Sequence, residues 1–292
     1  MKQYTPPTPR QVLQRARAGG YAVGAFNVST DVVLKAIVQA AAKLRAPVII
    51  ETSSGETAFV GARLQAAVVH AYEQQARLPL LMNLDHAKTY AEVRTAMEAG
   101  YAMLHFDGSE LSKKTNVRIL KRVVHEAHAR RLLVEGERDH ITGSSEWHPG
   151  TKMEKELRKG MLTDPDEAAA FVQQTGVDIF APFIGNIHGV FQNKERLDFR
   201  LLQTLSSTLP CFLSLHGGSG IHAQHIRRAI GMGIVKINVN TDLRIAYLLA
   251  LRATLKKHPR EAAPYKILPP VVAAVQKVVE EKIRLFGSAG QA

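Results

Sequence analysis

Short runs dominated by valine, isoleucine, leucine and phenylalanine recur along the chain, and segments of helical character separate them. Eight runs read as strands: "YAVGAFNV" from Tyr21, "PVIIET" from Pro47, "PLLMNLDH" from Pro79, "YAMLHFDG" from Tyr101, "LLVEGERD" from Leu132, "VDIFAPFI" from Val177, "CFLSLHG" from Cys211 and "IVKINVNT" from Ile234. The helical segments carry end signals. Asp31 to Lys43 starts with "STD", an N-cap pattern, "DPDEAAAFVQQTG" has an acidic first turn and closes on Gly176, and "AEVRTAMEAG" closes on Gly100. Mostly apolar runs suit a sheet covered on both faces. Eight strands each followed by a helix predict an α/β fold, a closed (β/α)8 barrel forming a single domain over residues 1–292, in preference to an open doubly wound sheet. The longest irregular stretch, about His140 to Lys152, has the length of a lid.

The polar residues gather where these runs end. In a barrel of this kind the active site lies at the C-terminal ends of the strands, and those ends read "AFN", "ETSSGE", "LDH", "FDGSE", "EGERDH", "IGNIHG", "LHGGSG" and "INVNTD". His86, His188 and His216 close the third, sixth and seventh runs. Any one of them reads most simply as a satisfied core histidine. Three at equivalent ends read as ligands converging on one divalent ion with a position left open, the layout of a catalytic zinc site. Asp85 would share that rim. His125 with His128, and His222 with His225, stand three apart on helical segments and read as surface packing. "HGGSGI" is expected to open a helix after the seventh strand, and "INVNTD" after the eighth. Loops at these two places commonly hold a phosphate on backbone N–H groups and a helix N-terminus. Gly217, Gly218 and Gly189 would let the backbone approach it, and Ser219 and Thr241 would add hydroxyls. No P-loop pattern occurs.

Charge narrows the ligand class. The 292 residues carry a formal net charge of +12 with a pI of about 9.9, a balance that attracts anions such as phosphorylated metabolites. The basic residues are spread out, and Lys113 to Arg131 reads as the solvated face of one helix. No nucleic-acid recognition module appears, so no nucleic-acid partner is expected. Cys211 is the single cysteine, which excludes an internal disulfide and suits a reducing compartment. The N-terminal residues lack the apolar core of a signal peptide, and no run approaches the roughly 20 apolar residues of a membrane span. The expectation is a soluble cytoplasmic protein with no membrane partner.

The motifs "GAFNV" (Gly24 to Val28), "LDHAKT" (Leu84 to Thr89), "FDGS" (Phe106 to Ser109), "VEGE" (Val134 to Glu137), "IGNIHGVF" (Ile184 to Phe191), "HGGSGI" (His216 to Ile221) and "KINVNTDLR" (Lys236 to Arg244), with the tail "KIRLFGSAGQA", resemble the class II, metal-dependent fructose-bisphosphate and tagatose-bisphosphate aldolases over essentially the full length. The resemblance implies that His86, His188 and His216 bind Zn2+ or a similar divalent ion and that Asp85 is the proton-transfer residue. It implies a dihydroxyacetone-phosphate pocket of Gly189, Gly217, Gly218, Ser219, Asn238, Val239, Asn240 and Thr241, with Asn27 and Ser53 at substrate contacts. Asp107 and Glu137 match an alternative metal site or the residues supporting one. A monovalent cation near the phosphate and a homodimer or homotetramer belong to the same expectation. So does a place in glycolysis and gluconeogenesis, with a phosphorylated sugar as substrate.

One region departs from the family pattern. After "VEGE" the family continues into a glycine-rich loop ending in adjacent acids, and here the sequence is "RDHITGSSEWHPG" (Arg138 to Gly150), with no glycine pair. Glu146 is the first candidate for the loop base, with His148 and Asp139 as alternatives. Three readings of function follow: an aldolase for fructose 1,6-bisphosphate; a relative acting on tagatose 1,6-bisphosphate or another phosphorylated sugar or sugar acid; and, from a different class, a non-catalytic basic barrel that binds nucleic acid. Lys236 leaves Schiff-base chemistry as a minor alternative.

Overall fold

The computed structural model describes residues 3–148, 161–190 and 197–292. The eight expected strands all form: β1 (Val23–Asn27), β2 (Val48–Ser53), β3 (Leu80–Ala87), β4 (Met103–Asp107), β5 (Leu133–Glu137), β7 (Ile179–Ala181), β9 (Phe212–Leu215) and β10 (Ile234–Val239). They pair in parallel and close into a barrel in the order β1-β10-β9-β7-β5-β4-β3-β2, a TIM barrel. The helix signals also hold. α2 (Asp31–Leu44) is capped by Thr30, whose side chain accepts from the Val33 N–H, and α5 (Tyr90–Ala99) starts with a reciprocal Thr89–Glu92 capping box. α7 (Pro165–Thr175) starts on Asp164 and stops at Gly176, where φ is +71°.

The interior of the barrel has a period of two along each strand, and the layers differ in chemistry. The lowest layer is apolar: Val23, Ala25, Ile49, Leu81, Met103, Leu133, Ile179 and Phe212 pack against Val12, Leu13 and Ala16 of α1 (Pro9–Gly19), which closes the barrel floor. Two residues further along the strands stand Glu51, Asn83, His105, Glu135 and Ser214, joined by Lys236, all buried. Two further still come Ser53, Asp85, Asp107, Glu137 and His216, with Asn27 and Asn238 beside them. The runs that look uniformly apolar therefore hide an inward polar face; their outward positions fill the large core between sheet and helices.

Three features depart from expectation. His188 does not end a barrel strand. It opens a short strand, β8 (His188–Val190), that pairs in parallel with β6 (Gly143–Trp147) outside the barrel. The expected irregular stretch therefore contains β6, which lies over the C-terminal rim; residues 149–160 fall outside the described part. "HGGSGI" is loop, not a helix start: α9 (Ala223–Gly231) begins only after His222, which caps it. α10 (Thr241–Lys257), by contrast, starts directly at the end of β10. Among the described residues no helix is long and apolar enough to cross a membrane.

Candidate metal and substrate site

The site begins with an irregularity in β3. Its pairing with β4 slips between Leu84 and Ala87, and His86 adopts a left-handed φ of +50°. Such a conformation costs on the order of 1–3 kcal/mol in a non-glycine residue and persists where the surroundings enforce it. The result is that Asp85 and His86, neighbours in sequence, both reach the cleft, where a regular strand would send them to opposite faces.

His86 and His216 then meet. His86 Nε2 lies 2.9 Å from His216 Nδ1. The other nitrogen of each ring faces a carboxylate: His86 Nδ1 is 3.0 Å from Asp107 Oδ2, and His216 Nε2 is 2.9 Å from Glu135 Oε1. Each carboxylate fixes the proton on the nitrogen it faces, so two bare lone pairs point at one another. Only a cation or a shared proton relieves that arrangement, and carboxylate–histidine pairs of this form are the usual support of a metal-binding imidazole. The His188 ring completes the set, with its centroid 5.0 Å from that of His86 and 5.9 Å from that of His216. Gly217 sets this spacing. Its φ is +67°, and a Cβ there would come within 2.1 Å of the Ile187 carbonyl oxygen, so only glycine lets the His216 loop lie against the chain entering His188.

Burial opposes charge on all three rings. At His86 the Asp85, Asp107 and Glu137 carboxylates outweigh it and raise the pKa, whereas His188 and His216 are pushed down. The donor atoms of Asp85, His86, His105 and His216 lie within 4.8 Å of one another, as do those of His86, Asp107 and Glu137. The second group holds the two acids that the family resemblance implies for an alternative metal position or its support, although Asp107 also serves His86 directly and accepts from Lys88 Nζ at 2.7 Å. The residues present fit a divalent ion held by imidazole nitrogens.

Asp85 sits beside this cluster with both oxygens engaged. Asn27 Nδ2 donates to Oδ2 at 3.0 Å and Asn238 Nδ2 to Oδ1 at 3.2 Å. Burial works to raise its pKa, but His86, His105, His216 and Lys236 outweigh that and hold the carboxyl well below its usual range. The sequence reading missed the charged layer beneath. Lys236 Nζ stands 2.8 Å from both Glu51 Oε1 and Glu135 Oε2, and 2.7 Å from Asn238 Oδ1. Burial favours a neutral amine there, yet Glu135, Glu51 and Asp85 raise the Lys236 pKa. A lysine pinned as an ammonium between two carboxylates is no Schiff-base nucleophile. His105 was missed as well; against the effect of burial, Glu135, Asp85 and Glu137 push it up to about 10. The signal was alternation: every second residue of "VIIETS", "LMNLDH", "MLHFD", "LVEGE" and "FLSLH" points inward.

The phosphate side is a narrow cleft lined by Gly189, Gly217, Ser219, Asn240 and Thr241, continuous with Asn27, Asp85, His86, His188 and Asn238. Asn240 precedes α10 without a side-chain cap; the Asp242 N–H is taken by Ser219 Oγ at 3.2 Å and the Leu243 N–H by the Asn240 carbonyl at 3.0 Å, so the Thr241 N–H is the amide at that helix end left for an anion. Three predicted contacts work differently. The Gly218 N–H already donates to the Asn238 carbonyl at 2.9 Å, the Val239 side chain packs in the outer core, and Ser53 caps the helix Ser54–Val60 through Glu56. None of the three loop-base candidates lines the cleft. Glu146 is exposed, Asp139 accepts from Thr163 Oγ1 at 2.8 Å, and His148 Nε2 lies 3.1 Å from Ser144 Oγ. Ser145 lines it instead, and Arg244 holds that segment, donating to the Ser145 carbonyl and to Glu56, both at 3.1 Å.

A wider groove at the opposite end of the barrel is lined by Arg10, Arg17 and Asp178. Arg10 pairs with Asp178, which also faces His128, while Arg17 donates to the Cys211 carbonyl and lies over the Phe212 ring.

Comparison with known proteins agrees with this geometry. The family model for fructose-bisphosphate aldolase class-II matches residues 8–291. A fructose-bisphosphate aldolase of Thermus caldophilus is 37% identical, covering 98% of this chain and 99% of that protein. One of Streptococcus pneumoniae serotype 4 is 38% identical over 96% and 97%. Among solved structures, the YdjI aldolase of Escherichia coli K12 superposes with a TM-score of 0.85 at 29% identity, covering 99% of this chain and all of that one. A fructose-bisphosphate aldolase of Campylobacter jejuni, at 21% identity and a TM-score of 0.83, shares the fold. The chain belongs to the class II fructose-bisphosphate aldolase family, metal-dependent carbon–carbon lyases.

Proposed function

We propose that this chain is a zinc aldolase that reversibly cleaves a ketose 1,6-bisphosphate, fructose 1,6-bisphosphate first, to dihydroxyacetone phosphate and glyceraldehyde 3-phosphate. The observation that carries the reading is the pair of facing imidazole nitrogens, 2.9 Å apart, each backed by a carboxylate. A divalent ion bound there supplies Lewis-acid stabilisation of the negative charge left when the carbon–carbon bond breaks.

The protein's own groups do the rest. Asp85, kept ionised and aimed by Asn27 and Asn238, removes the C4 hydroxyl proton in cleavage and returns it to the aldehyde oxygen in condensation. The Thr241 N–H at the start of α10, with Gly189, Gly217 and the Ser219 and Thr241 hydroxyls, seats the phosphate of the three-carbon half, so binding energy remote from the bond positions the reacting carbons. A second base exchanges the proton at the phosphate-bearing fragment's terminal carbinol carbon. Glu146 is the candidate, and it reaches the cleft only after the β6 segment turns. The reading also places the protein in the cytoplasm as a homodimer or homotetramer, with a monovalent cation beside the phosphate.

A second reading, cleavage of tagatose 1,6-bisphosphate or another phosphorylated sugar by the same machinery, draws support from the exposed, family-divergent β6 segment over the rim. Steady-state cleavage of fructose and tagatose bisphosphates, before and after chelation and with Zn2+ restored, tests both. The expected result is fructose bisphosphate cleavage lost on chelation and recovered with zinc. Full activity after exhaustive chelation would overturn the metal reading, and a preference for tagatose bisphosphate the substrate.

A further inference from the structure

The slip in β3 has a single residue opposite it. Leu84 pairs with Leu104 and Ala87 with Phe106, so Asp85 and His86 together face His105. That is a β-bulge, two residues against one, and bulges next to active sites re-aim side chains. The bulge takes the His86 N–H off the strand ladder, and it donates instead to His105 Nδ1 at 3.2 Å. The His105 ring is fully buried, its centroid 4.5 Å from that of His86 and 4.9 Å from that of His216. Its Nδ1 lies 3.7 Å from Asp85 Oδ1 and its Nε2 lies 3.5 Å from Glu137 Oε2. Neither of those last two atoms has a hydrogen-bond partner among the described residues.

We propose that His105 is the positioning residue of the metal-facing turn: its Nδ1 replaces the ladder acceptor that the bulge removes, and so holds Asp85 and His86 directed together into the cleft. This rests on the reading of the site as a divalent-metal aldolase centre. The requirement is specific. An apolar side chain at 105 would leave the His86 N–H buried without a partner, and the left-handed turn would lose what compensates it. Accepting that N–H leaves Nδ1 bare and sets the ring proton on Nε2, toward Glu137. Against burial, the carboxylates around the ring favour a second proton, and that proton would take Nδ1 out of this bond, so the bond belongs to the singly protonated ring.

The test compares His105→Asn, His105→Gln and His105→Leu with the parent by Co2+ titration, read through ligand-field absorption. Thermal unfolding serves as the control for folding. Asparagine puts Oδ1 where Nδ1 stands, glutamine carries its oxygen one bond further, and leucine has no acceptor. Co2+ affinity should stay within about threefold of the parent in His105→Asn and fall by about tenfold or more in the other two, with shifted absorption bands and a lower kcat at little-changed KM. Equal affinity in all four proteins would overturn the assignment. So would an equal loss in His105→Asn and His105→Leu, since an oxygen acceptor would then not substitute for the ring. If the leucine variant does not fold, the difference between asparagine and glutamine decides. A parent that binds no Co2+ would defeat the metal reading and this assignment together, whereas a flat series on a Co2+-binding parent defeats only the assignment.

Discussion

The barrel wall that faces the metal position and the β6 segment that lies over it are built to opposite rules. On the wall, Asp85, Asp107, Glu135, Glu137 and His216 are all buried, and most of their polar atoms meet a fixed partner. On the overlying segment, Gly143, Ser144, Glu146 and Trp147 are exposed, and among the described residues the strand they form pairs only with β8. The wall has its geometry before substrate arrives, at the cost of burying several charges. The segment lies at the surface, tied down by β8 and by Arg244 at the Ser145 carbonyl. His188 joins the two, because its ring meets those of His86 and His216 while the residue sits on the segment's partner strand. The bond-breaking chemistry should therefore depend on the wall, and the choice and handling of the aldehyde half on the segment.

The largest effect should come from the wall. His216→Ala removes one of the two facing nitrogens and leaves Glu135 Oε1 with Ser214 alone. It should abolish tight Zn2+ binding in an equilibrium dialysis assay and lower kcat/KM by about four orders of magnitude. Retained metal and turnover would mean that the wall is not the metal site. Next comes Asp85→Asn, which keeps the shape and the contact with Asn27 or Asn238 but removes the base. Zn2+ should remain bound while cleavage falls by about 100- to 10,000-fold. Parental cleavage by this variant would remove Asp85 from the proton transfer.

The segment should answer more weakly. Glu146→Gln is expected to slow deuterium exchange into dihydroxyacetone phosphate by about tenfold, with Zn2+ affinity unchanged. Its side chain is exposed as the segment lies, so an unchanged exchange rate would move the role to His148, Asp139 or a residue of 149–160.

The same contrast decides what the sequence disclosed. The barrel was legible because eight apolar runs and their helix caps are local signals. Asp85, His86 and His216 were legible because polar residues at the ends of buried strands demand a reason. His188 was recognised, but its place was not: the β6–β8 pairing joins residues about 45 apart in sequence through three-residue and five-residue strands, with too little periodicity to detect. The charged layer of Glu51, Glu135 and Lys236, with His105 at its upper edge, was hidden by counting apolar residues per run. The inward alternation was present, yet a strand covered on both faces normally needs none. Neither the bulge nor the left-handed His86 has a composition signal, because any register slip is a property of two strands together.

The smallest predicted effect concerns that hidden layer and isolates one group in it. Lys236 stands between Glu51 and Glu135 and balances only one of them. Glu135 also has Ser214 and His216, and, against burial, the charges of Lys236, His105 and His216 hold it well below its usual range. Glu51 is left as the disfavoured charge: burial first, then Asp85, raise it from 4.5 to about 7 despite Lys236. A folded pKa above the unfolded one means that the folded state holds an extra proton between the two values. The stability it contributes is complete below pH 4.5 and is lost as pH rises through about 7. Asp85 and Glu135, shifted the other way, lose theirs as pH falls, and they are common to parent and variant. Glu51→Gln imitates the protonated form at every pH. Measured by urea unfolding, its stability relative to the parent should therefore rise between pH 5 and pH 8, by on the order of 2 kcal/mol. A difference curve that stays flat over that range would show that Lys236 satisfies both carboxylates, and that the wall's charged layer carries no titrating member.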